Sequence, residues 1–285
     1  MTTTSFDFSR RPELGLHAAA IAAVQDAAAP AGAVPLIVGA FARDLHLLYA
    51  HGIDTRRETT DLDIALALPD WAAFTRLRER LIAHGDFKGS STVAHRLRHR
   101  NGLPIDLVPF GRVETADRKI AWPPRGDEIM DVFGFREALE AAVQVSMPGE
   151  VRASVVSLPA LAMLKLVCWQ DRHYTSPRKD AFDLQLIVTN YLSAGNEARL
   201  WSEFVEWTQE EDFEYELVGP RMLGHDIRPL LDAKGMERMS KALSEQTDSA
   251  RPARLANQMN PDDPERARAL LEALLVGLIE TSGER

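Results

Sequence analysis

The chain has 285 residues and 31.7 kDa, with 33 Lys and Arg against 42 Asp and Glu, a formal charge of −9 and pI near 5.4. That length suits one large or two ordinary domains, and 45% hydrophobic residues can build a core, which excludes a disordered chain. The net acidity argues against a globally basic nucleic-acid wrapper, and one cysteine, Cys168, excludes a disulfide framework and a Cys-rich zinc site. The charge is uneven: residues 196–285 hold 19 acidic and 11 basic side chains, net −8, against 23 and 22 in residues 1–195. Met1 to Arg11 has no apolar signal-like core and no apolar run nears the roughly 18 residues of a membrane span. The expectation is a cytoplasmic protein with no membrane partner.

In chain order, Pro12 is placed to open a helix with Leu14, Ala18, Ile21, Val24 and Ala28 at helical spacing, ended by Pro30 and Gly32. Val34–Val38 reads as a buried strand broken at Gly39, and Ala42–Ala50 as a helix stopped at Gly52. Leu62–Leu68 is a second strand. Asp70 then caps an amphipathic helix through Trp71, Phe74, Leu77 and Leu81 to Gly85. Asn101-Gly102 predicts a hairpin between strands near Ala94–Arg100 and Leu103–Pro109, with further strands near Lys119–Trp122 and Val151–Val156. From Ser157 the pattern is helical, over Ala160–Trp169, from Pro177 to Tyr191, around Leu200–Trp207 and Met236–Leu243, and over Pro264–Ile279. The fold class predicted is α+β: a small mixed β-sheet with helices over residues 1–156, followed by an all-α C-terminal region over 157–285.

Asp61 and Asp63 lie two apart, so on a strand they project to one face, and Asp106 sits between Ile105 and Leu107 on another strand. Carboxylates among apolar strand residues need a cation, hydrogen bonds or water. Three that converge suit Mg²⁺, a hard ion that takes oxygen ligands and keeps water for a phosphate. A lone Asp-x-Asp is more often a strand edge or solvated face; the third strand Asp strengthens the metal reading. Val38-Gly39-Ala40-Phe41-Ala42-Arg43 is a strand, a glycine break and a helix start, where free N–H groups, small residues and Arg43 suit a phosphate, although an ordinary strand-to-helix turn also accounts for it. Arg57 and Thr60, just before the Asp pair, offer basic and hydroxyl groups to a triphosphate or belong to a solvated loop. Lys165, among apolar helical neighbours, snorkels, reaches phosphate, or pairs with Asp180 or Asp183, which share a helix face. His95–Arg100 is a basic stripe that either guides RNA or defends an edge strand.

In this order Gly39-Ala40, Thr60-Asp61-Leu62-Asp63-Ile64, Ile105-Asp106-Leu107, Leu164-Lys165-Leu166 and Arg178-Lys179-Asp180-Ala181-Phe182-Asp183 resemble the nucleotidyltransferases of the DNA polymerase β-like superfamily. Within it they resemble the AbiEii-type group, which includes toxins of type IV toxin–antitoxin systems. The resemblance covers roughly residues 30–195, and Lys165 with Lys179-Asp180-x-x-Asp183 points to that group. It implies transfer of an NMP from an NTP to an acceptor hydroxyl, with tRNA among the acceptors and an antitoxin as partner. On that reading Asp61, Asp63 and Asp106 hold Mg²⁺ or Mn²⁺, and Asp106 helps activate the acceptor. Gly39, Ala40 and Arg43 hold the triphosphate, Lys165 in the helical region contacts phosphate, and Asp180 or Asp183 orients it or binds nucleotide. Gly39-Ala40-Phe41-Ala42 departs from the group's pattern in lacking a hydroxyl. That departure motivates the alternative of a non-catalytic nucleotide-sensing or protein-binding module, and a metal-dependent glycosyltransferase is a third reading of Asp-x-Asp.

Overall fold

The computed structural model describes residues 5–56, 59, 61–90, 93–176 and 178–280, so the expected roles of Arg57 and Thr60, and Pro177 as a helix opener, fall outside the described residues. The chain forms two units, residues 1–45 with 56–157 and residues 46–55 with 158–285.

The first unit runs β1 (Ser5–Asp7), α1 (Gly15–Ala28), β2 (Pro35–Val38), α2 (Gly39–Asp44), β3 (Leu62–Leu68), α3 (Trp71–Ala83), β4 (Phe87–Gly89) and β5 (Arg96–His99). It continues through β6 (Pro104–Gly111), β7 (Lys119–Ala121), β8 (Ile129–Asp131), α4 (Phe135–Glu140), β9 (Val143–Met147) and β10 (Val151–Val155). Eight strands make one mixed sheet in the order β1-β9-β10-β2-β3-β6-β5-β4. β3 lies at its centre, antiparallel to β2 and parallel to β6. Leu62, Ile64, Leu66, Ile105 and Leu107 are fully buried on these central strands, which fixes their register because a one-residue slip would turn the whole apolar set outward. Asp70 caps α3 by accepting from the Ala73 N–H at 2.7 Å. Gly102, at φ 93°, turns the β5–β6 hairpin. The strand expected near Lys119–Trp122 forms outside the large sheet, paired with β8.

The second unit holds α5 (Leu158–Arg172), α6 (Lys179–Asn190), α7 (Glu197–Ser202), α8 (Tyr215–Ile227), α9 (Ala233–Thr247), α10 (Arg254–Met259) and α11 (Pro264–Ile279). The α+β class with a helical C-terminal region is therefore what the chain adopts. Residues 46–55 pack here: His51 lies where a side chain on Gly195 would collide with its Nε2 at 2.8 Å. The acidic stretch of residues 210–216 is largely paired within the unit. Glu210 accepts from Arg221 at 2.6 Å, and Glu214 and Glu216 accept from Arg266. No helix among the described residues is long and apolar enough to cross a membrane.

The helices α8 and α11 cross at two glycines. A Cβ on Gly277 would stand 1.8 Å from the Arg221 carbonyl oxygen, and one on Gly224 would stand 2.1 Å from that of Leu274. Both obstacles are backbone, so a methyl group there must push the helices apart. Gly277→Ala is expected to destabilise the protein by about 3 kcal/mol in urea unfolding. Gly32→Ala, where φ is 64° and space is open, should cost only about 1 kcal/mol.

Candidate active site

Asp61, Asp63 and Asp106 each present a carboxylate oxygen, and these oxygens lie within 4.8 Å of one another. The strand register makes this happen. Asp63 pairs directly with Asp106 across the parallel β3–β6 ladder, and Asp61, two residues earlier, returns to the same face. Asp106 is buried while the other two are half-buried, so the cluster is open on one side.

β2 runs beside β3 with Val38 opposite Asp63, and the next residue is Gly39 at φ 72°. A Cβ on Gly39 would stand 2.0 Å from Asp63 Oδ2 and 2.9 Å from Asp63 Cβ. Glycine is therefore required twice over, by the left-handed backbone and by the carboxylate resting on its Cα. The half-exposed backbone of Gly39 and Ala40 and the carboxylate of Asp63 form one continuous surface.

Arg43 differs from its expected place. It is fully buried, and its Nε and Nη2 donate to Asp44 Oδ1 at 2.9 and 2.6 Å, while Asp44 also accepts from the Thr59 hydroxyl. With its guanidinium enclosed, Arg43 offers no surface to a triphosphate and instead braces the interior end of α2. A cation that the described residues bring to the carboxylates is Arg96. Its Nε and Nη2 donate to the two oxygens of Asp106 at 2.7 and 2.5 Å, and Nη2 lies 3.9 Å from Asp61. The hydrogen bonds to Asp106 hold the guanidinium's pKa above its usual value, against the opposing effect of burial. The signal for Arg96 lay in the hairpin: a three-residue loop, Arg100 to Gly102, sets Arg96 opposite Asp106.

Three carboxylates with only oxygen donors at this spacing fit a hard divalent cation. Arg96 does not exhaust Asp106, because each carboxylate oxygen keeps a second lone pair.

In the helical unit Lys165 is buried on α5. Its Nζ donates to Asp183 and, at 3.4 Å, to Asp180, both buried on α6. Arg172, two helical turns beyond Lys165, donates from Nε and Nη2 to Asp180 at 2.7 and 2.8 Å. Burial alone would lower the Lys165 pKa, but the charges of Asp183 and Asp180 outweigh it and the ammonium is held above its ordinary value. Burial likewise works to raise the Asp180 pKa, yet the hydrogen bond from Arg172 and the charge of Lys165 pull it below the usual carboxylate range. Cys168, beside this network, is pushed up to about 11 by burial and stays a thiol. The expected Lys165, Asp180 and Asp183 thus come together, joined by Arg172.

A mixed sheet carrying a carboxylate triad against a glycine turn, followed by a helical unit with a buried Lys–Asp network, defines a nucleotidyltransferase. The family described as "Nucleotidyl transferase AbiEii toxin, Type IV TA system" matches residues 37–273, and the chain belongs to it. Among solved structures, the chain is similar to ANT(2″)-Ia in complex with adenylyl-2″-tobramycin. That match has 13% identity over 67% of this chain and 98% of that one, with a TM-score of 0.38. The Thermotoga maritima CCA-adding enzyme complexed with tRNA matches at 12% identity over 96% of this chain and 84% of that one, with a TM-score of 0.23. No similar sequence is found among curated proteins.

Two predictions follow from the side chains around these clusters. Lys165→Met removes the ammonium that the buried carboxylates of Asp183 and Asp180 share, and the expected loss is about 3–5 kcal/mol of stability in urea unfolding. His17 stacks on Phe41 of α2 at 4.2 Å, its ring nitrogens shielded and without a hydrogen-bond partner among the described residues, and burial lowers its pKa. The unfolded chain therefore binds this proton more tightly. Stability should be full above pH 6.5 and fall as the pH drops below it, by at most about 1.4 kcal/mol per pH unit from this residue. Urea titrations at pH 7.5 and 5.5 should show a smaller difference in His17→Phe than in the parent chain.

Proposed function

We propose that the chain moves an NMP from an NTP to an acceptor hydroxyl, as the toxin of a toxin–antitoxin pair in the cytoplasm, with RNA such as tRNA as the acceptor. The observation that carries this reading is the convergence of Asp61, Asp63 and Asp106 beside the bare backbone of Gly39. Asp61, Asp63 and Asp106 would hold Mg²⁺ or Mn²⁺, which supplies charge neutralisation for the triphosphate and the departing pyrophosphate. The small Gly39-Ala40 turn lets the triphosphate approach the backbone next to Asp63, and Arg43 contributes by bracing α2. Arg57 and Thr60 stay assigned to the triphosphate side of the Asp pair, and Lys165 with Asp180 and Asp183 to support of the nucleotide.

In the transfer the acceptor oxygen bonds to the α-phosphorus while the bond from that phosphorus to the bridging oxygen breaks. Pyrophosphate leaves with the electron pair, and the hydroxyl proton passes to an oxygen of Asp106. Arg96, hydrogen-bonded along one edge of Asp106, fixes the carboxylate's orientation for this exchange.

The test is incubation with each α-labelled NTP and total cellular RNA, followed by gel separation. Label should enter RNA with the parent chain and fall at least a thousandfold with Asp61→Ala plus Asp63→Ala. Equal labelling by the double variant would refute the assignment. Separately, Mn²⁺ titration followed by electron paramagnetic resonance should show weaker binding in that variant.

A further inference from the structure

A polar cavity lies wholly within the helical unit. It has a volume of about 320 Å³ and is walled by Trp169, His173 and Tyr174 from the end of α5 and by Gln246, Arg251 and Arg254 from α9, α10 and the turn between them. Its most ordered feature is a pile of flat groups. The indole of Trp169 is buried and anchored by donating to Gln258 at 2.6 Å. His173 stacks on it at 4.5 Å with an interplanar angle of 22°, and Tyr174 lies against His173 at 3.8 Å, its ring tilted by 39°. Arg254 lies 5.8 Å from the Tyr174 ring centre and donates to its hydroxyl at 3.0 Å.

Tyr174 is 76% exposed, a large ring held in solvent at the open end of a stack whose inner end is fixed in the core. Arg251 is more than half exposed, and its pairings with Glu245 and Asp248, at 3.6 and 3.4 Å, are of the weak surface kind that an incoming anion can displace. Arg251 and Arg254 thus bring two guanidinium groups to a cavity whose wall also carries Glu245. Gln246, with Gln170 and Glu245, adds amide and carboxylate groups around the rim, suited to the edges of a base. Rings for stacking, arginines for a phosphate and polar groups for base edges are the three parts of a nucleotide-unit site, and the volume is that of a small-ligand pocket.

We propose that this cavity binds one nucleotide unit of a single-stranded RNA, its base stacked on Tyr174 and its phosphate against Arg254 and Arg251. The choice of RNA over a free nucleotide rests on the acceptor assigned under the proposed function. The stacking chemistry is common to both. The site is separate from the carboxylate triad in composition, because it contains none of the metal-holding residues.

The experiment uses the full chain, a fluorescein-labelled 12-nucleotide single-stranded RNA followed by fluorescence anisotropy, and AMP followed by calorimetry. Tyr174→Ala and Arg254→Ala are each expected to weaken RNA binding by about tenfold, and Tyr174→Phe, which keeps the ring, by less than threefold. Circular dichroism checks that each variant folds. RNA binding that weakens while AMP fails to bind supports the polymer as the source. AMP binding that weakens in the same variants supports a free nucleotide on the same stack. RNA and AMP affinities unchanged in folded Tyr174→Ala and Arg254→Ala overturn the site. Asp61→Ala plus Asp63→Ala reports on the transferase site through labelling alone. Loss of labelling in that double variant alongside unaltered RNA binding in Tyr174→Ala would thus discard this cavity and leave the transferase assignment standing.

Discussion

Three carboxylates within 4.8 Å of one another repel, and much of the sheet unit is arranged around that fact. At an effective dielectric near 20, each pair of charges at such a distance costs about 3 kcal/mol. The cost is offset locally by Arg96, which engages both oxygens of Asp106 and approaches Asp61. It is made unavoidable by the register of β3 and β6, because burying Leu62, Ile64, Ile105 and Leu107 on the apolar face turns Asp63 and Asp106 together onto the other. Gly39 completes the arrangement, since any side chain there would occupy the place of the Asp63 carboxylate. Core packing thus creates an electrostatic problem that a cation relieves, and a phosphate-accessible backbone lies beside it.

That arrangement was largely legible in the amino-acid sequence because it rests on short-range rules. Alternation on a strand placed Asp61 with Asp63, and the Asn101-Gly102 turn fixed the hairpin that carries Asp106. The Arg96–Asp106 pair was harder to read, because the loop is one residue longer than an Asn-Gly turn requires and counting outward from that turn would have put Leu97 opposite Asp106. Arg43 was misplaced for the opposite reason. An arginine at a helix start suggests anion binding, and nothing local announces that Asp44, the next residue, closes on it in the interior. Helix α8 was hidden because Gly219, Pro220 and Gly224 weigh against a helix by propensity. Tertiary contact reverses that weight at Gly224, where the missing side chain lets α11 approach. Strands β1, β4 and β8 have three residues each, too few for a period-two pattern to stand out.

In the helical unit the buried charges of Lys165, Asp180 and Asp183 act as a set with the partly exposed Arg172. Two cations face two anions, each carboxylate is met by at least one donor, and desolvation is countered by mutual attraction in a region of low dielectric. Such a network is more demanding of geometry than a hydrophobic contact, so it fixes how α5 lies against α6. Lys165 was the residue that the sequence left with three readings, and pairing with both Asp180 and Asp183 is the one its surroundings display. A direct phosphate contact would require its ammonium to exchange one of those carboxylates for the ligand.

The overall charge of −9 carries less information about partners than it first suggests. The sheet unit's sequence region is close to neutral, and the acidic stretch near residue 210 is largely engaged by Arg221 and Arg266 within its own unit. Interactions between exposed charges fade beyond about 8–10 Å at physiological salt, so a polyanion at the surface feels the local arrangement rather than the sum. What such a ligand meets at the end of α5 is Arg251 and Arg254 around an aromatic stack, a short-range basic spot. An acidic chain of this kind can therefore hold single-stranded RNA weakly and locally through stacking, while its net charge discourages the long nonspecific contacts on which globally basic binders depend.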